Sequence, residues 1–348
     1  MRYRHLGNSG LRVSQLCLGT MSFGDRWGFG ADGATTAQIV ETFAKAGGNF
    51  LDTANKYHDG HTEELLAPLI AADRDYWVLA TKYTLNTRPD DPNGGGNGRK
   101  NMMKAVDASL KRLQTDHIDL LWVHAWDFGT PVDEVMRGLD DLVRSGKVLY
   151  VGISDAPAWV VSHANTLADL RGWSRFVGLQ IEWSLVERTV ERELVPMARA
   201  FGIGITPWAP LGAGILTGKY TRADDARLED SRRKAMVEGR LTPRKLDIAR
   251  AVDAVADEIG CTSAQVAIAW LAQQGHEVFP IFGARKVEQI TDILGATGVH
   301  LSDAQRTALN DVSKIELGFP HDFIGSPHIG RVLYGDMAER IDLPSKRG

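Results

Sequence analysis

Apolar residues along this chain fall in short runs without polar alternation, each followed by a stretch whose apolar positions recur at helical spacing. The runs are Gln15–Gly19, Asn49–Thr53, Trp77–Lys82, Ile118–His124, Val148–Ser154, Phe176–Glu182, Ile203–Trp208 and Val278–Gly283. Helical patterns follow near Thr36–Ala46, Thr62–Ala72, Arg99–Gln114, Val132–Ser145, Ala158–Arg171 and Glu191–Phe201. The seventh run is followed by Pro243–Ile259 and Ser263–Gln274, the eighth by Val287–Leu294. Strands that are apolar on both faces imply a parallel sheet buried on both sides. Open doubly wound sheets seldom reach eight strand–helix units, so the pattern predicts a closed (β/α)₈ TIM barrel. No Gly-x-Gly-x-x-Gly follows the first run, which weakens an open dinucleotide-binding sheet further.

Residues 2–14 alternate around Gly7-Asn8-Ser9-Gly10, a hairpin signal ahead of the repeat. Beyond it lie a helix pattern at Asp303–Ser313 and a tail rich in Gly and Pro, expected as an ordered loop or a lid. The expectation is one barrel domain over 1–348, with its core at 15–314 and the tail at 315–348. Two connections are long, Thr84–Gly98 after the third strand and Tyr220–Leu241 after the seventh. Both overhang the C-terminal face, where they could cover a ligand, although the glycines of the first also suit a mobile surface loop. An apolar share of 43% supplies a large core, and a net charge of −4 gives no basic footprint for nucleic acid or anionic membrane. Cys17 and Cys261 are too few for a disulfide framework or a cysteine metal site. The N-terminus lacks the apolar core of a secretory signal and no run is long enough to span a bilayer, so the expected location is cytoplasmic.

In a barrel of this kind, catalytic groups sit at the C-terminal ends of the strands. The second strand ends in Asp52 with Tyr57 just beyond, the third in Lys82, the fourth in His124. The fifth ends in Ser154 and Asp155, the sixth in Gln180 and Glu182. Singly, each has an ordinary explanation: a turn cap, a half-buried aromatic, a solvated lysine, a structural histidine. Their alignment after successive strands has no such explanation, and together they form a proton-donating set. Lys82, held by Asp52, would stay charged and favour the Tyr57 phenolate. A unit charge at ~4 Å and an effective dielectric of ~20 is worth about 4 kcal/mol, enough to lower a phenol from ~10 by about three units. His124 would hydrogen-bond the substrate oxygen.

At these residues the chain resembles the aldo-keto reductases. The matching segments are Phe50-Leu51-Asp52-Thr53-Ala54-Asn55-Lys56-Tyr57, Ala80-Thr81-Lys82, Asp119-Leu120-Leu121-Trp122-Val123-His124 and Gly146-Lys147-Val148-Leu149-Tyr150-Val151-Gly152-Ile153-Ser154. Pro207-Trp208-Ala209-Pro210-Leu211, Gly218-Lys219-Tyr220 and Gly283-Ala284-Arg285 with Gln289 extend the likeness over nearly the whole chain. The resemblance implies carbonyl reduction with NAD(P)H, Tyr57 as proton donor, Lys82 and Asp52 as its tuning pair, and His124 as the orienting group.

It also implies a cofactor site. Gly19, Thr20 and Met21 match the segment beside the nicotinamide ribose, and Asp52 lies next to it. Ser154 and Gln180 match the carboxamide-holding positions, with Asp155 where many members have Asn. Trp183 stands where a tyrosine often stacks on the nicotinamide. Ala209, Pro210, Leu211, Gly212 and Gly214 match the pyrophosphate loop, Trp208 just before them is a further expected cofactor contact, and Lys219 adds charge nearby. Gly283, Arg285, Gln289 and Asp292 match the adenosine end, where an arginine fork suits a 2′-phosphate, so NADPH is expected over NADH.

Other readings compete. His58, His61 and His124 superficially suit zinc, but no His-x-His ends the first strand and Lys82 has a complete alternative role. Relatives of the same fold, the potassium-channel β subunits, act mainly as cofactor-binding partners; the expectation is that this chain lacks their extended N-terminal arm. On the catalytic face, Trp27 and Trp126 are expected to wall an apolar substrate pocket, with Phe128 nearby and Trp159 at the rim. That favours a bulky, cyclic or aromatic carbonyl over a small sugar. The expected partner is a small molecule, with homo-oligomerisation left open.

Overall fold

The computed structural model describes residues 1–222 and 241–341. β1 (Tyr3–His5) and β2 (Arg12–Ser14) form the predicted antiparallel hairpin. The barrel strands are β3 (Cys17–Gly19), β4 (Phe50–Asp52), β5 (Val78–Tyr83), β6 (Ile118–Val123), β7 (Val148–Ser154), β8 (Phe176–Glu182), β9 (Gly204–Trp208) and β10 (Ile281–Gly283). They are parallel and pair in the order β10-β3-β4-β5-β6-β7-β8-β9. The ring closes through a parallel bridge between Ile205 and Val278. The eighth run thus splits into a bridge at Val278 and a ladder at Ile281–Gly283, with Pro280, which has no N–H to donate, between them.

Helices α1 (Gly33–Lys45), α2 (His61–Ile70), α3 (Arg99–Leu113), α4 (Val132–Arg144), α5 (Ala158–Arg171) and α6 (Leu194–Phe201) follow β3 to β8 in turn. After β9 come α7 (Pro243–Ile259) and α8 (Ser263–Ala272), and after β10 come α9 (Val287–Leu294) and α10 (Asp303–Ser313). Their starts are written in side chains: Asp32 caps α1, and Thr262 and Ser302 form capping boxes with Gln265 and Gln305.

Alternation along each strand sorts residues between the lumen and the helical layer. On β6, Leu120 and Trp122 point into the lumen, while Leu121 and Val123 face outward. Phe50 on β4, with Val78 and Ala80 on β5, share the lumen with Phe279, Ile281 and Leu6 of the hairpin. Two residues on from Phe50, Ala80 and Trp122, the same parity turns Asp52, Lys82 and His124 inward at the C-terminal mouth. Trp122 fills the centre because Gly152 and Gly178 leave room, since a Cβ on either would lie 2.4 or 2.7 Å from the indole.

The long loop after β5 is folded back on itself rather than extended: Thr87 N–H donates to Gly94 O, and Gly96 N–H to Thr84 O. Asn97 joins it to the loop after β6 by exchanging hydrogen bonds with Asp127. Most of the second long connection, Tyr220–Leu241, lies outside the described residues. The tail contains two short helices, α11 (His321–Ile324) and α12 (Pro327–Tyr334), where the sequence suggested a loop or lid. Ser326 caps α12, and Pro327 sits in its first turn, where a missing N–H costs nothing. His321 pairs with Glu193, and Arg192 donates to the Glu316 carbonyl, so the tail lies beside the segment after β8. No described helix is long and apolar enough to cross a membrane.

Candidate active site

Lys82 is fully buried, and its ammonium makes three bonds, the full donor capacity of the group. Nζ donates to Asp52 Oδ2 at 2.5 Å, to the Thr53 carbonyl at 2.9 Å and to Tyr57 Oη at 3.1 Å. The second Asp52 oxygen, Oδ1, accepts from Gln180 Nε2 at 3.0 Å. Tyr57 therefore accepts from Lys82 and keeps its own O–H to donate into the cleft. The His124 ring meets the Tyr57 ring edge-on, with centroids 6.1 Å apart.

Burial depresses the Lys82 pKa, but Asp52 and Tyr57 together outweigh it and hold the group above its ordinary value. The ammonium stays charged. Tyr57 differs from the expectation, because burial pushes its phenol up and the charge of Lys82, pulling down, does not overcome it. The correction follows from desolvation: a phenolate loses water on entering the site, and the Lys82 charge is shared with Asp52. Tyr57 thus holds its proton at neutral pH. His124 is pushed down to about 3 by burial first and the Lys82 charge second, so its ring is neutral. Its Nδ1 is buried without a hydrogen-bond partner.

The two residues after Tyr57 were missed as contributors to this site. His58 and Asp59 adopt left-handed backbone, with φ of 46° and 56°, a conformation that costs non-glycine residues about 1–3 kcal/mol. They meet the loop after β3, where Trp27 lies edge-on to Tyr57 with centroids 6.5 Å apart. Sequence spacing offered His58 only as a metal candidate. In the structure His58 lies between Trp27 and Met21, and His61 pairs with Glu64. Among the described residues no three metal-binding side chains cluster. Trp126 is half-buried against the core, whereas Phe128 and Trp159 are exposed.

Around the same mouth, Gly19 is in register with Asp52 on one side and Gly283 on the other. Thr20 is buried and donates to the Asp52 carbonyl at 2.9 Å, while Met21 is exposed. Ser154 and Gln180 are paired neighbours on β7 and β8. Gln180 gives one of its two amide N–H donors to Asp52, a link between positions 128 residues apart for which the sequence holds no local signal. Trp183 is a second correction. It is 1% exposed, packs edge-on against Trp270 at 6.3 Å and donates to Glu191, so it lies in the core and presents no face to a ligand. The aromatic at this side of the mouth is Trp208, at the end of β9, whose Nε1–H donates to Asp155 at 3.2 Å. Next to it, Ala209, Gly212, Ala213 and Gly214 all have positive φ, and a Cβ on Gly214 would meet nothing within 4 Å. Pro210 and Leu211 lie within this turn, and Lys219 lies over the Tyr220 ring. Across β10, the Arg285 backbone N–H donates to Gln289, while Asp292 accepts from Thr262 and Gln265.

A family model described as the aldo/keto reductase family matches residues 15–314. A norsolorinic acid reductase of Emericella nidulans is 41% identical over 329 residues, 91% of this chain and 82% of that protein. The NADP(+) aryl-alcohol dehydrogenase of Phanerodontia chrysosporium is 41% identical over 350 residues, covering 93% and 89%. An aryl-alcohol dehydrogenase of Pestalotiopsis microspora is 36% identical over 334 residues, covering 93% and 85%.

Proposed function

The chain belongs to the aldo/keto reductase family, as an oxidoreductase acting on carbonyl and alcohol groups, and we propose that it reduces aromatic or otherwise bulky carbonyls with NADPH. The observation that carries this is the continuous line Asp52–Lys82–Tyr57, which leaves one phenolic O–H facing the cleft.

The residues present fit a dinucleotide. Trp208 offers an aromatic surface at the mouth, the left-handed turn beside it leaves open space over Gly214 in which a phosphate could approach the backbone, and Arg285 provides a cation at the far end. In this reading Ser154 and Gln180, paired on β7 and β8, would hold the carboxamide, and Gly19 and Gly283, paired on β3 and β10, leave their strand ends free of side chains. Bound there, NADPH supplies a hydride to the carbonyl carbon. Tyr57 donates its proton to the carbonyl oxygen as negative charge grows on it. Lys82, charged and held by Asp52, stabilises the phenolate left behind. Neutral His124 keeps one ring N–H with which to orient the carbonyl, and its depressed pKa prevents it from adding a second positive charge beside Lys82. The apolar surface of Trp27, together with relatives named for aryl alcohols and norsolorinic acid, supports an aromatic substrate.

Tyr57→Phe removes the donor oxygen alone. Reduction of nitrobenzaldehyde is expected to fall by about 10²–10⁴-fold, with NADPH binding by fluorescence nearly intact. Surviving reduction would overturn the assignment. Tight NADPH binding by the unsubstituted protein, with no turnover on any aldehyde or ketone, would favour a cofactor-binding partner instead.

A further inference from the structure

The backbone after Tyr57 carries a strained residue that the reduction itself does not use. His58 is fully buried with left-handed φ and ψ of 46° and 36°, and Asp59 repeats that conformation. A histidine kept where glycine would sit without strain points to a role for the ring. That ring is engaged on both nitrogens. Its Nδ1 accepts from the Trp27 backbone N–H at 3.3 Å, and its Nε2 faces the Met21 carbonyl at 3.2 Å. The two bonds select one tautomer, with the proton on Nε2. The imidazole face also stacks on the Trp27 indole, with centroids 4.6 Å apart and planes 19° apart, and meets Phe29 edge-on at 5.7 Å. Asp59 adds a longer tie, accepting from Trp27 Nε1 at 3.4 Å while held by Lys56 Nζ at 2.8 Å. Burial holds the His58 pKa below its ordinary value, which keeps Nδ1 an acceptor at neutral pH.

We propose that His58 is a positioning residue for substrate specificity: by hydrogen bond and by stacking it fixes the Trp27 loop at a set distance from the Tyr57 hydroxyl, making a rigid wall that selects flat aromatic carbonyls. The inference rests on Trp27 lining the substrate pocket. Tyr57 and His58 are adjacent in the chain, so the proton donor and the anchor of the wall move together. A flat ring bound against Trp27 then presents its carbonyl to Tyr57 with little further ordering. A small aldehyde, which does not reach the wall, gains nothing from it.

The test uses the whole chain with NADPH and compares 4-nitrobenzaldehyde with glyceraldehyde in the unsubstituted protein, His58→Gly, His58→Asn and Trp27→Ala. Glycine and asparagine both accept left-handed backbone, so relief of strain offsets part of the loss of the buried ring, and each His58 variant is expected to remain folded at the assay temperature, checked by thermal unfolding. Both are expected to raise the KM for nitrobenzaldehyde by about ten-fold or more, leaving its kcat and the glyceraldehyde constants within about two-fold. A residue important only for folding would shift both substrates together. If Trp27→Ala raises the nitrobenzaldehyde KM and neither His58 variant does, the proposal is overturned and the pocket reading stands. If Trp27→Ala also leaves it unchanged, the pocket reading fails and the proposal with it.

Discussion

At the scale of single residues, the site is governed by how few partners each polar group has left. Lys82 has no spare N–H, Asp52 is bonded on both oxygens, and Tyr57 retains one free donor. The pH dependence follows. Reduction needs the phenol protonated, and a Tyr57 pKa raised above the ordinary value keeps it so through neutrality, the rate falling only as pH rises through that higher value. Oxidation of the alcohol needs the phenolate and therefore rises with pH. His124, pushed down to about 3, adds no acid limb near neutrality. The expected profile of kcat/KM for reduction is flat between pH ~6 and ~9. A limb centred within that window, measured with a saturating cofactor, would show that the Lys82 charge outweighs burial.

At the scale of elements, strand parity does the positioning. Phe50 and Asp52, Ala80 and Lys82, and Trp122 and His124 are pairs two residues apart, so the apolar lumen and the polar mouth share one face of each strand. The packing beneath is what keeps that face in place. Trp122 occupies the space left by Gly152 and Gly178. Gly152→Ala would put a methyl group 2.4 Å from the indole, and overpacking of this kind costs about 1–3 kcal/mol. Urea unfolding is expected to show that loss. Unchanged stability would mean that Trp122 has another place to go. The pattern places the starts of α7, α8 and α10 at Pro243, Ser263 and Asp303, where they are, whereas α1 begins three residues before the expected Thr36, after the Asp32 cap. The tail helix α12 was hidden because Pro327 reads as a breaker until Ser326 is seen to make it a first-turn residue.

At the scale of the whole molecule, residues from the ends of β3 to β10 meet at one mouth only because the ring closes. Gly19 and Gly283, far apart in the chain, become neighbours in register. The proposed cofactor face runs from Ser154 and Trp208 to Arg285, and its far end sets the choice between cofactors. Arg285→Ala is expected to raise the KM for NADPH by ten-fold or so, as loss of a charge-assisted phosphate contact would, and to leave the NADH KM nearly unchanged. Equal effects on both would count against a 2′-phosphate contact.

The sequence by itself determined the number and order of the strand–helix units, the closed barrel, and the four groups at consecutive strand ends. These follow from periodicity and chain order, which are local properties. Only the tertiary structure decided which groups lose water and which meet across the ring. Desolvation raised the Tyr57 pKa where pairwise charge alone lowered it. Core packing took Trp183 out of the cleft and left Trp208 at its edge. Gln180 reached Asp52 across the mouth, and a left-handed His58 reached back to the Trp27 loop. Burial and long-range contact depend on every neighbour at once, so no window of sequence contains them.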